Sequence, residues 1–289
     1  MKKYIALILI INSFLFILPS GIYGEQIPEM QVHFIDVGQG DSILIQTPLN
    51  RTILIDAGPP KAGEKIVSYL EKLHIDKIDL FIATHPDIDH IGGILKVMKT
   101  IEVEEILDTG KLHPTKTFAN YISEIRKQKI PVKIAEKNVP IEIDPMVTID
   151  VWNAYERYKN NNKSSIVLKV TYGDVDFLLM SDVEQQQEKA FLKEYDVRAE
   201  ILKVAHHGSK TSSSLNYLKA VNPEVAILTY SKENNYGHPV NRVIENLYKV
   251  DAMIYSTAAL GNVVIHTDGT QYFIIPEKNP IHKFLEVAG

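Results

Sequence analysis

The sequence predicts an α/β fold in which two β-rich layers pack against each other and amphipathic helices accompany them. Three observations carry this reading. Short apolar runs of strand length recur between Gly, Asp, Asn and Pro turns, segments of helical spacing alternate with them, and one hairpin pattern occurs twice. "SILIQTPLNRTILID" ends in Asp56, and "SIVLKVTYGDVDFLLMSD" repeats its order of Ser, apolar alternation, turn and apolar strand, ending in Asp182.

In chain order, "VHFIDVG", "SILIQT" and "TILIDAG" read as consecutive short strands. "GEKIVSYLEKLHI" places Ile66, Val67, Leu70 and Leu73 at helical spacing, and Asp76 to Thr84 then reads as one buried strand. The loop "THPDIDHIGG" follows it and runs into the helix-like "GGILKVMK". Glu102 to Trp152 reads as strand, helix, strand and strand, punctuated by Pro131, Pro140 and Pro145, with His113 its one chemically notable residue. The second hairpin is followed by a helix (Val183 to Tyr195), a strand (Glu200 to Ala205) and a helix (Ser212 to Val221). A strand (Val225 to Thr229), a helix (Val240 to Val250) and final strands to Ile275 complete the order. The main domain is expected over residues 30–276, with 277–289 as a tail.

Residues 1–24 differ from the rest. Lys2 and Lys3 precede an apolar run from Tyr4 to Leu18, and small residues follow near Gly21 and Gly24, the layout of a secretory signal peptide. A retained anchor is the alternative. No later stretch has the roughly 18 apolar residues of a spanning helix. The expectation is therefore a secreted, extracellular or envelope-associated protein without stable membrane insertion after signal cleavage.

Composition narrows the chemistry. The 289 residues are 45% hydrophobic and 23% charged, which is the balance of a globular chain. There is no cysteine, so disulfides, thiolate metal sites and cysteine nucleophiles are excluded, and any metal must be held by His, Asp or Glu. The net charge of −5, or −7 without residues 1–24, advertises no broad basic face for nucleic acid.

"THPDIDHIGG" places four potential metal ligands, His85, Asp87, Asp89 and His90, within six residues at the carboxyl end of a predicted strand. In an extended turn His85 and Asp87 point the same way, while Asp89 and His90 fall on the start of the next helix. Gly92 and Gly93 remove side chains where that helix must come close to its neighbours. Further candidates sit at later strand ends and loops: Asp182, His206, His207 and His238. "HHGSKTSSS" adds Ser209, Lys210, Thr211 and Ser212 at the start of a predicted helix, where free N–H groups favour an anion, although Ser/Thr capping reads equally well. Lys203 and Lys210 read as solvated lysines. "DVGQGDS", Asp36 to Ser42, lacks the Lys and helix of a phosphate loop and reads as a tight turn near the active face.

The ordered series "FIDVGQGDSILIQT", "ILIDAG", "THPDIDHIGG", "NNNKSSIVLKV", "FLLMSDVE", "LKVAHHGSKTSSS" and "YGHPV" resembles the metallo-β-lactamase fold superfamily. More narrowly, it resembles the hydrolase domain of ComEC-type DNA-internalisation competence proteins. The resemblance implies a four-layer αββα sandwich and two divalent ions, Zn²⁺ or Mn²⁺. It implies His85, Asp87, Asp89, His90, Asp182 and His207 as metal ligands, with Asp182 bridging and Asp56 ordering the metal loop. A histidine ligand expected before "SIVL" is missing, with Asn161 and Asn162 in its place, so one site should be weaker. Asp89, His206 and His238 are the catalytic candidates, and Asn162, Ser209 and Lys210 the substrate contacts. The order of roles among His206, His207 and His238 stays open. Asp87 in place of histidine lowers the charge of the centre by one, which should widen tolerance for Mn²⁺ beside Zn²⁺.

The function these readings imply is a secreted phosphodiesterase or nuclease acting on nucleic acid through metal-activated water. The alternatives are a cell-envelope phosphodiesterase for choline or polyol phosphate esters, and a non-catalytic binding protein on a decayed hydrolase scaffold. Protein partners are not indicated.

Overall fold

Strands form where branched and aromatic residues alternate. β1 (Met30–Phe34), β2 (Ile43–Gln46) and β3 (Thr52–Ile55) make an antiparallel meander, after which α1 (Gly63–Lys72) returns the chain. The stretch read as one strand from Asp76 to Thr84 is two: β4 (Lys77–Ile78) and β5 (Leu80–Ala83). Asp79 separates them, its carboxylate accepting the Thr52 N–H at 2.8 Å. β5 joins the sheet parallel to β3, while β4 turns aside to pair with β6 (Glu102–Val103). Two short helices, α2 (Ile88–Ile91) and α3 (Ile94–Met98), lead out of the loop after β5. β7 (Ile106–Asp108), α4 (Lys116–Gln128) and β8 (Val132–Ile134) extend the parallel part. The computed structural model describes residues 28–155 and 160–278. The signal-like segment 1–24 and the tail beyond Lys278 therefore lie outside the described residues.

The second half repeats the plan. β9 (Thr148–Asn153), β10 (Val167–Tyr172) and β11 (Val175–Leu179) are antiparallel. Then α5 (Gln185–Glu194), β12 (Ile201–Lys203), α6 (Leu215–Val221), β13 (Val225–Leu228), α7 (Asn241–Tyr248) and β14 (Met253–Ser256) alternate, with the strands parallel. After α8 (Thr257–Leu260) the chain crosses back, and the hairpin of β15 (Val263–Thr267) and β16 (Tyr272–Pro276) joins the first sheet beside β1. The sheets run β16-β15-β1-β2-β3-β5-β7-β8 and β14-β13-β12-β11-β10-β9.

Period-two alternation sorts the side chains into layers. Met30, Val32, Phe34, Ile43, Ile53, Phe177, Ile201 and Ile227 fill the space between the sheets. The intervening Leu44, Leu54 and Phe81 face α1, α3 and α4, and Leu178, Leu202 and Leu228 face the helices of the second half. Helix, sheet, sheet and helix are thus four layers around three apolar clusters, as the sequence implied. Among the described residues, no helix is long and apolar enough to cross a membrane.

The helix predicted from Ser212 begins at Leu215, with the Ser214 hydroxyl accepting the Tyr217 N–H at 3.4 Å. The anion expected at its start is the protein's own. Both the Ser213 and Ser214 N–H groups donate to the buried Glu188 carboxylate, so these two donors are already occupied.

Candidate metal centre

The strands of both sheets deliver their carboxyl ends to one place. From the first sheet come Asp56 after β3 and the loop His85–His90 after β5. From the second come Asp182 after β11 and His206 and His207 after β12. The Ser181 hydroxyl donates to Thr84 Oγ1 at 2.8 Å, which joins the two groups directly.

Asp56 organises the first group. Its Oδ1 accepts the Thr84 N–H at 2.9 Å, and its Oδ2 accepts the Thr84 hydroxyl at 2.6 Å and His90 Nδ1 at 2.7 Å. His90 is thereby held as the Nδ1–H tautomer, with its Nε2 lone pair facing inward, the usual arrangement behind a metal-ligating histidine. Asp87 is the N-cap residue of α2, so Asp89 and His90 lie on its first turn. The glycines are needed for close approach: a Cβ on Gly93 would lie 2.2 Å from the Ala57 carbonyl oxygen, and one on Gly40 at 2.2 Å from that of Asp89.

The second group rests on an unusual turn. His206 and His207 both have left-handed backbones, φ 52° and 55°, a conformation costing about 1–2 kcal/mol for a non-glycine residue. Hydrogen bonds from His206 N to the Ser181 carbonyl (2.8 Å) and from Ser209 N to the His206 carbonyl (2.9 Å) stabilise it. His207 Nδ1 donates to the Thr229 carbonyl at 2.8 Å, which leaves its Nε2 facing the centre.

Asp182 Oδ2 lies in the middle, 3.4 Å from His90 Nε2, 3.6 Å from His206 Nε2, 3.7 Å from His207 Nε2 and 4.0 Å from His85 Nε2. Two tight donor groups overlap on His90: His85, His90 and Asp182, and Asp89, His90 and His207. Asp87 stands at the edge, its Oδ2 3.6 Å from His85 Nε2 and its Oδ1 taken by the Asn161 side-chain amide. The set expected around His85 therefore includes His90, and Asp87 is peripheral to it. His113 comes from the β7–α4 loop to within 3.9 Å of Asp87, a proximity its sequence position gave no sign of.

The remaining candidates are placed unequally. His206 is partly exposed, and Asn162 Nδ2 reaches it at 3.3 Å. The His238 ring is 5.5 Å from that of His206. Ser209 is buried with its hydroxyl paired to Thr211, which in turn meets His206 Nδ1 at 3.2 Å, so Ser209 is linked to His206 through Thr211. Lys210 is exposed on the same turn. Lys203, read as solvated, is wholly buried and paired with Asp41, which the sequence had left in an ordinary turn.

The field at the centre favours a cation. Burial pushes Asp182 up, yet the His207, His90 and His206 charges outweigh it and hold the carboxyl well below its ordinary value. Burial pushes His90 down, yet Asp182 and Asp56 raise it well above the usual imidazole range, and His207 is likewise raised. Burial and the charges of His206 and His207 push His238 down to about 4. A fit test comes from the polar atoms that find no partner. His85 Nε2, His90 Nε2, His207 Nε2 and Asp182 Oδ1 are all buried without a hydrogen bond and converge on the same space. Unpaired buried donors and acceptors are costly, and divalent ions need this nitrogen and oxygen donor set.

A four-layer sandwich with a cluster of His and Asp donors at the joined strand ends is the architecture of the metal-dependent hydrolases. Residues 35–231 match the metallo-beta-lactamase superfamily, and the chain belongs to it. It is 29% identical over 263 residues to "ComE operon protein 3" of Bacillus subtilis (strain 168), covering 81% of this chain and 33% of that protein. It is 30% identical over 228 residues to "Competence protein ComA" of Neisseria gonorrhoeae, covering 76% and 30%. The chain thus spans about a third of the curated relatives it matches. Among solved structures, the metallo-beta-lactamase fold protein YhfI of Bacillus subtilis superposes with a TM-score of 0.56 at 16% identity, covering 83% of this chain and all of that one.

Proposed function

We propose that the protein is a phosphodiesterase that cleaves nucleic acid at a centre of two divalent ions, Zn²⁺ or Mn²⁺. The observation that carries this is Asp182 Oδ2 standing between donors of both sheets, within 4.0 Å of His85, His90 and His207, with four facing atoms unpartnered. His85 and Asp182, with Asp87 at the edge, would hold one ion; Asp89, His90, His207 and Asp182 would hold the other. Such ions lower the pKa of a water and neutralise charge developing on phosphoryl oxygens.

The chain's own residues do the rest. Asp56 fixes the His90 tautomer, and the Thr229 carbonyl fixes that of His207. His206, steadied by Thr211 and Asn162 at the partly open side, is placed to meet a substrate oxygen or a leaving group. His238 backs it, and Lys210 offers charge nearby. Nucleic acid is the favoured substrate because one relative, at 30% identity, is named a competence protein.

The test is turnover of single- and double-stranded DNA, RNA and bis(p-nitrophenyl) phosphate with Mn²⁺ or Zn²⁺. His85→Ala and Asp182→Ala should each lose more than the ~100-fold typical of an outer-shell residue. Turnover equal in wild type and variants overturns the hydrolase reading. Turnover of the nitrophenyl ester without any nucleic acid would redirect it to another phosphodiester.

A further inference from the structure

Asp41 stands behind His207 where the two sheets meet. It belongs to two further tight groups, one with Asp182 and His207 and one with Asp56 and His90, so by distance alone it is a candidate ligand. Both of its oxygens are taken. Lys203 Nζ binds Oδ2, and the Thr229 hydroxyl donates to Oδ1. Asp41 comes from the β1–β2 loop of one sheet and Lys203 from β12 of the other, and neither reaches solvent. Asp41 Oδ1 is 3.5 Å from His207 Nδ1, on the side of the ring away from Nε2. The Asp41 backbone also donates to the Asp89 carbonyl at 3.3 Å, so the loop touches two of the residues assigned to the second ion.

We propose that Lys203 withholds Asp41 from the metal centre. The pair is a charge-compensated positioning device that keeps Asp41 outside the coordination sphere and sets the affinity of the His207 side for its ion. A free carboxylate at this place would add a hard anionic donor to a centre already holding Asp56, Asp87, Asp89 and Asp182. Lys203 cancels that charge and ties down the oxygen. This rests on the metal-centre reading above, but not on nucleic acid as the substrate.

The consequence is a difference of sign. Lys203→Met frees Asp41 Oδ2 and leaves the carboxylate charge uncompensated beside the centre, which tightens metal binding. Asp41→Asn leaves an ammonium buried beside His207, which weakens it. A pair that merely fastened the two sheets would shift both variants the same way.

Mn²⁺ is titrated calorimetrically into wild type, Lys203→Met, Asp41→Asn and the double variant, and the metal-induced rise in Tm is measured for each. Lys203→Met should bind the weaker ion about 10-fold more tightly, Asp41→Asn about 10- to 100-fold more weakly, and the double variant close to wild type. If Asp41→Asn fails to fold, Lys203→Met and the double variant still decide. Weakened or unchanged binding by Lys203→Met overturns the proposal. Wild type that binds no Mn²⁺ overturns the metal-centre reading and the proposal with it. Absence of nuclease activity bears only on the substrate, since no variant is scored by turnover.

Discussion

Replacing Asp56 by Asn tests whether the metal centre is built through tautomer control. Asp56 Oδ2 accepts from two donors, the Thr84 hydroxyl at 2.6 Å and His90 Nδ1 at 2.7 Å, while Oδ1 accepts the Thr84 N–H. In the variant the amide oxygen keeps the backbone bond, and the NH₂ group takes the place of Oδ2. The NH₂ can be satisfied by His90 only if the ring accepts at Nδ1, which moves the proton to Nε2. That proton then occupies the lone pair facing Asp182, 3.4 Å away. Binding an ion requires the ring to return to the first tautomer and give up the new bond. A charge-assisted hydrogen bond contributes about 1.5–3 kcal/mol, and 1.4 kcal/mol is a factor of ten. Mn²⁺ affinity should therefore fall by about 10- to 100-fold, with kcal-scale but not catastrophic loss of stability in EDTA. Calorimetric titration measures the first and urea unfolding the second. Affinity within twofold of wild type refutes the reasoning.

Three further outcomes are expected. Asp87→His raises the charge of the centre by one and should lower the ratio of Mn²⁺ to Zn²⁺ affinity; an unchanged ratio removes the role given to Asp87. His33, buried on β1 with Nδ1 2.9 Å from the Tyr69 hydroxyl, has its pKa pushed to about 4 by burial and then by the His266 charge. The unfolded chain takes up that proton near pH 6.5, so the stability is present above pH 6.5 and lost as pH falls toward 4, by about 3 kcal/mol at most. His33→Phe should flatten the urea-derived stability profile over that window, and an identical slope in wild type and variant contradicts the assignment. Gly93→Ala drives a Cβ to 2.2 Å from the Ala57 carbonyl oxygen and should cost about 1–3 kcal/mol, seen as a Tm several degrees lower; an unchanged Tm would show that the β3 loop yields freely.

The parts of the centre legible in the sequence were those written locally. "THPDIDHIGG" announces ligands by density, and the repeated hairpin places Asp56 and Asp182 at equivalent strand ends. The alternation of Ile53, Leu54 and Ile55 gives the two faces of a buried strand without knowledge of its partners. What was illegible depends on contacts across the chain. Lys203 looks like any lysine until Asp41, 162 residues earlier, is folded against it. Glu188 looks like a surface acid on α5 until the Ser213 and Ser214 N–H groups reach it, which takes up two of the donors read there as free. His113 and Asn161 meet Asp87 only because the β7–α4 loop and the segment before β10 converge. The break in the strand at Asp79 had a local sign, a carboxylate between Ile78 and the apolar run from Leu80, but its cause is the Thr52 N–H of a neighbouring strand.

The joined strand ends have a thermodynamic consequence. His85, Asp89 and His90 belong to one sheet and Asp182 and His207 to the other, so ions held between the two groups are rivets between layers that otherwise adhere through apolar side chains and a few polar ties such as Lys203 to Asp41. Linkage then works in both directions: whatever the docked layers add to ion affinity, the ion returns to the docking. A cavity cut between the sheets, as at Phe177 or Ile227, would be reported at the centre as weaker ion binding although no ligand had been touched. Ion affinity is in that sense a gauge of how firmly the two halves of this molecule are closed.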